Sequence, residues 1–181
     1  MPNATIQYTG KVTISLKRKD TVVSTYTYHN TGTDWLFKFL CYCVKGDYRT
    51  AEAIRPFKVK LFYNRQQHPT NSAPVINECD PATNFISTNK PVTIKTVGNK
   101  TTATLHFLVP FANIFTLISS INQVCLYGTG EVNNENYMAY YYFIDQNDPN
   151  SWKPITISKA NRTNYSLIIE WEMSFDNATI E

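Results

Sequence analysis

Leu167-Ile168-Ile169-Glu170-Trp171-Glu172-Met173-Ser174-Phe175-Asp176 decides the fold class. Leu167, Ile169, Trp171, Met173 and Phe175 take every second position, and from Glu170 onward the places between them hold Glu170, Glu172, Ser174 and Asp176. Side chains of a strand point alternately to its two faces, so this spacing gives one buried face and one acidic face. Glu170 and Glu172 share that acidic face. Their spacing would suit a carboxylate pair for glycoside cleavage, but beside Asp176 they read as a solvated surface.

The same period recurs toward the other end of the chain. Val12, Ile14 and Leu16 alternate with Thr13 and Ser15, the charged Lys17-Arg18-Lys19-Asp20 makes a turn, and Thr21 to Tyr28 returns as a second strand. Phe57, Val59, Leu61 and Tyr63 alternate with Lys58, Lys60 and Phe62. Val92, Ile94 and Thr96 form a short strand, Val97-Gly98-Asn99-Lys100 turns, and Leu105, Phe107 and Val109 face one way until Pro110. Ile121 to Tyr127 is strand-like and closes on Gly128-Thr129-Gly130; Ile155 and Ile157 give a short strand.

One segment breaks the pattern. After Asn30-Thr31-Gly32-Thr33, the apolar residues Leu36, Phe39, Leu40, Cys43 and Val44 fall at helical spacing. Thr33 can cap, Asp34 and Lys45 suit the two ends of the dipole, and Gly46 can take the left-handed stop. A helix over 34–45 follows, short enough to need docking onto a sheet. Eight to ten short strands with one inserted helix predict an all-β fold, an antiparallel, jelly-roll-like β-sandwich. The chain reads as a single domain over 1–181 with loose tails at 1–6 and 177–181. The polar stretch Asn64 to Asn89, with Pro69, Pro74 and Pro81, is the longest irregular segment and a place to expect partner contact.

Tyr137 to Ile144 alternates without becoming polar on either side. One set is Tyr137, Ala139, Tyr141 and Phe143; the other is Met138, Tyr140, Tyr142 and Ile144. Such a strand is covered on both faces, either by the helix or a loop of the same chain or by a neighbouring subunit. Met138, Tyr140, Tyr142 and Ile144, together with Trp152, are therefore the candidate interface.

Composition narrows the function. Charged residues are 17% of the 181, against roughly 25% in an average domain, and aromatics reach 14%. Thr, Asn, Ser and Tyr must supply much of the surface, and such a surface tolerates burial against a partner. The net charge of +3 carries one dense basic run, Lys17-Arg18-Lys19, which reads as a hairpin tip and not as a nucleic-acid stripe. No apolar run approaches the roughly 20 residues of a membrane span. The opening Met1-Pro2-Asn3-Ala4-Thr5 lacks the blocks of a signal peptide, so folding in a cytosol is expected and the five Asn-x-Ser/Thr sites reflect only abundant Asn and Thr.

Cys41, Cys43, Cys79 and Cys125 fit free thiols, with Cys41 and Cys43 expected in the core. Two sulfurs of Cys-x-Cys on a helix point about 200° apart, and His29, His68 and His106 are scattered, so no metal site is expected. Gly128-Thr129-Gly130 lacks a following helix, no serine sits in a nucleophile elbow, and Cys79 between Glu78 and Asp80 is poorly placed for a thiolate. No catalytic residue and no cofactor is expected. Trp35, Trp152 and the tyrosines leave a glycan-binding module as the alternative to an assembly subunit.

In order along the chain, Asn30-Thr31-Gly32, the helix Trp35 to Leu40, the strand Phe57 to Tyr63, Ser120 to Tyr127, Pro154 to Lys159 and Leu167 to Phe175 resemble small structural proteins of tailed bacteriophages, and the Asn, Thr, Tyr and Lys bias is similar to virion proteins of crAss-like phages. Gln123 stands where Glu is usual in that pattern and Cys125 where Gly is usual. The resemblance spans roughly residues 22 to 176. It implies a non-enzymatic virion subunit, attached to the capsid as a decoration or head-fibre protein or placed in neck or tail. Other virion proteins and further copies in a dimer or trimer would be its partners.

Overall fold

The computed structural model describes residues 4–32, 34–63, 80–114, 120–128, 137–142, 155–156 and 164–179. The strands are β1 (Ala4–Arg18), β2 (Thr21–Gly32), β3 (Pro56–Tyr63), β4 (Asp80–Pro81), β5 (Ile86–Ser87), β6 (Thr93–Val97), β7 (Lys100–Pro110), β8 (Ser120–Ile121), β9 (Gln123–Gly128), β10 (Tyr137–Tyr142), β11 (Ile155–Thr156) and β12 (Tyr165–Thr179). Two helices, α1 (Asp34–Lys45) and α2 (Tyr48–Ile54), lie between β2 and β3. Every pairing between these strands is antiparallel.

The hydrogen-bonded path runs β4-β3-β9-β10-β2-β1-β12-β7-β6, with β5 beside β3, while β8 and β11 form a separate pair. The path folds at β2. From Thr21 to Asn30 this strand pairs with β1, and its last residues, Thr31 and Gly32, pair with β10. One layer is therefore β2-β1-β12-β7-β6 and the other is β10-β9-β3 with β4 and β5. A single buried cluster joins them: Val12, Ile14, Leu105, Phe107, Leu167, Ile169 and Trp171 from the first meet Val59, Leu61, Val124 and Leu126 from the second. This is the expected antiparallel sandwich, with the first and last long strands side by side.

The period-two readings place the core correctly. Leu167, Ile169 and Trp171 are fully buried and Met173 nearly so, while the opposite face carries Lys11 bonded to Glu172 at 2.9 Å and His106 beside Glu170 at 3.3 Å. Thr13–Thr27, Ser15–Thr25 and Thr102–Ser174 hydroxyl pairs continue that polar face. The Glu170–Glu172 pair thus stands in a ladder of cross-strand polar partners.

Two expectations are corrected. Of the tails expected to be loose, 1–6 and 177–181, the described residues Ala4–Ile6 and Asn177–Thr179 are paired with each other. And 34–45 is joined by a second helix, α2, where only a loop was expected. Asp47 caps it, its carboxylate accepting from the Thr50 N–H at 3.2 Å. Asp47 directly after Gly46 was the available signal, since a capping carboxylate accepts from any backbone N–H at the third helical position.

The layer switch in β2 needs a residue without a side chain. A Cβ on Gly32 would stand 2.9 Å from Tyr8 Cε1 and 3.1 Å from Leu36 Cδ2. Gly32→Ala should therefore cost about 1–3 kcal/mol through overpacking, read as a lower denaturant midpoint at unchanged slope. Tyr8 itself stacks obliquely on Phe175, 5.7 Å between centroids. Burial pushes its phenol well above the usual range, against a smaller opposing effect of the Trp171 indole N–H, which donates to the hydroxyl. The folded state keeps this proton while the unfolded chain releases it near pH 10. Stability that is intact below that pH should fall as pH rises beyond it. Urea titrations at pH 8 and pH 11 check this: Tyr8→Phe should lose less stability between the two than the native chain.

Candidate interaction surface

Helix α1 is held by one side. Leu36 is buried, Phe39, Leu40 and Cys43 are half-buried, and the helix lies against β10. Its end is a complete Schellman motif: Gly46 at φ 78° donates to the Cys43 carbonyl and Asp47 to that of Tyr42. That stop turns the chain directly into the Asp47 cap of α2, so the two helices pack as one short unit over the second layer.

The side of α1 away from the sheet is not polar. Val44 is 90% exposed, Phe37 51% and, on α2, Tyr48 74%; Cys41 is an exposed free thiol. Positions 37, 41 and 44 are spaced four and three, one ridge at helical period along α1, and Tyr48 stands beyond the Gly46 stop, on α2. A shallow groove lined by Asp34, Phe37, Lys38, Cys41 and Tyr42 borders the ridge. Asp34 and Lys45, both exposed, mark its ends. Cys41 was expected in the core. It lies outside because the helix docks only through the 36/39/40/43 side, and 41 falls opposite. The expected docking stripe of Leu36, Phe39, Leu40, Cys43 and Val44 holds without Val44, which falls on the outward side and is exposed.

The second layer's outer side holds another cluster. All six residues of β9 are buried: Val124 and Leu126 enter the core, while Gln123, Cys125 and Tyr127 alternate with them. Phe85 meets Tyr127 edge-on at 5.1 Å. Lys60 Nζ stands 4.8 Å from the Phe85 centroid and 5.6 Å from that of Phe62, and Lys58 Nζ approaches Phe85 at 5.9 Å. These cation–π contacts let two ammonium stems lie along apolar surface, and burial lowers the pKa of Lys60. The Gln123 side-chain amide is fully buried, and neither its oxygen nor its nitrogen has a hydrogen-bond partner among the described residues.

The residues singled out on β10 have a defined register. Tyr140 stands opposite Cys125 on one side and Thr31 on the other, Tyr142 opposite Gln123, and Met138 falls at the register shift between Tyr137 and Ala139. β10 is an interior strand of its layer. Ile144 and Trp152 lie outside the described residues, as do Cys79 and His68. Among the described residues no group of three His, Cys, Asp or Glu could hold a metal ion, and no helix is long and apolar enough to cross a membrane. No family model, no curated protein and no solved structure matches the chain.

The two sides of α1 should respond differently to mutation. Leu36→Ala should cost about 2–5 kcal/mol, as a buried leucine does. Phe37→Ser with Val44→Ser should stay within about 0.5 kcal/mol per site. Chemical denaturation of the three proteins measures both.

Proposed function

We propose that this chain is a structural subunit of a bacteriophage virion without enzymatic activity of its own, attached to the capsid as a decoration or head-fibre protein. The observation that carries the reading is the exposed ridge of Phe37, Cys41 and Val44 on α1, a helix already docked by its other side, with Tyr48 exposed on α2. A contiguous apolar ridge offered to water marks a contact surface, and it stands on a two-layer sandwich whose long first and last strands lock each other. Such a body suits a load-carrying subunit, because its core does not depend on the surface that meets the neighbour. The low charge content supports the same role, since Thr, Asn and Tyr surfaces cost less to dehydrate than Lys and Glu ones. The ordered resemblance to tailed-phage structural proteins supplies the kind of assembly.

The test is the protein inventory of purified particles. This chain should appear in fixed stoichiometry to the major shell protein, and particles assembled with Phe37→Asp should lack it or hold it several-fold less. Absence of the chain from particles overturns the reading.

A further inference from the structure

We propose that the outward ridge of α1 is the contact surface for a second copy of this chain, the two α1 helices lying antiparallel about a twofold axis that passes close to Cys41. This names one partner for the surface on which the proposed function rests.

The ridge is self-complementary in shape. Phe37 lies four residues before Cys41 and Val44 three after it, so an antiparallel copy sets each Phe37 ring on the other copy's Val44. The outermost exposed side chains at the two ends are of opposite sign, Asp34 and Lys45, with Lys38 one turn in from Asp34. Asp34 and Lys45 are separated along the axis by about 16 Å at about 1.5 Å per residue. With the axis between Leu40 and Cys41, Asp34 of each copy comes within about 3 Å, along the axis, of Lys45 of the other. A parallel pair would instead oppose like charges at both ends and align the two helix dipoles. One patch used twice closes the assembly, as a twofold interface requires. Its apolar core is the ridge of Phe37, Cys41 and Val44, smaller than the roughly 800 Å² per partner of a standard interface. The dimer is therefore reversible, forming on the order of micromolar concentrations. In a particle, where copies are held close together, that affinity suffices to pair neighbours.

Sedimentation velocity of the full chain across a concentration series reads the pairing directly, and Cys41 supplies a geometric readout. In a Cys43→Ser, Cys79→Ser background, two equivalents of copper(II)-phenanthroline should accept one electron each from a pair of Cys41 thiols, the two protons passing to water, and leave a Cys41–Cys41 disulfide between copies. Phe37→Asp should abolish both the dimer and the cross-link while thermal unfolding stays in place. Asp34→Lys or Lys45→Asp alone should raise the dimer Kd roughly threefold to tenfold, and the two reversals together should restore it. A chain that is monomeric at every concentration and forms no Cys41 cross-link overturns the self-pairing. If that monomer is still recovered in particles and Phe37→Asp releases it, only the identity of the neighbour was wrong. A dimer that survives Phe37→Asp, or single reversals with no effect on Kd, also overturns it.

Discussion

The ladder between β1 and β12 is the constraint on which the molecule depends. It pairs fifteen residues of the first strand with fifteen of the last, from Ala4 with Thr179 to Arg18 with Tyr165. Because strand side chains alternate, a slip of one residue would carry Trp171 to the surface and Glu170 and Glu172 into the core. Both faces oppose that slip. Val12 stands opposite Trp171 and Ile14 opposite Ile169 within the core, and Lys11 meets Glu172 outside. β2 and β7 then add to the two free edges of this pair, and everything in the second layer packs on the face it presents. The ladder joins the ends of the chain, so its loop-closure entropy is met only once the intervening layers can pack.

What the sequence disclosed follows from this. Alternation is a local property, and β1, β3, β7 and β12 each carried it clearly enough to identify their buried faces. The helix boundaries were legible because Asp34, Lys45 and Gly46 act locally. Pairing partners were not legible, because nothing in Leu167 to Phe175 says that its neighbour begins at Ala4. For the same reason the termini looked loose: residues 4–6 and 177–179 have no strong pattern alone, and their order comes from each other. β9 shows the limit of period as a signal. Gln123-Val124-Cys125-Leu126-Tyr127 was legible as a strand but not as to which face meets the core, because it is buried on both faces between β3 and β10.

The interaction surface was legible only in part. A strand apolar on both sides, at Tyr137 to Ile144, signalled cover over the second layer, and the structure sets α1 against that strand. The exposed residues sit one step farther out, on the helix. From sequence, Phe37 and Cys41 differ little from Phe39 and Cys43; only the docking angle of the helix decides which pair meets the sheet. Where α1 leaves β2, Tyr8 and Leu36 close on the Gly32 backbone. No local rule predicts such a contact between β1, β2 and α1.

Exposed apolar residues also occur at the other end of the first layer, and the contrast is informative. β6 is the terminal strand, exposed along its length, with Ile94 at 73% and Val97 at 66%. An open edge of this kind invites another strand. Here it is guarded: Lys90, Lys95 and Lys100 flank it, and no Asp or Glu occurs between Asp80 and Glu131. Two such edges brought together antiparallel would set Lys95, at the middle of β6, against its own copy; Asp176 stands opposite Lys100, one strand further in. The α1 ridge carries the opposite arrangement, an acid at one end and a base at the other, which a second copy in reverse orientation satisfies at both ends. Equal exposure therefore does not mean equal invitation. The charges beside each apolar surface separate an edge kept from pairing with itself from a helix suited to it.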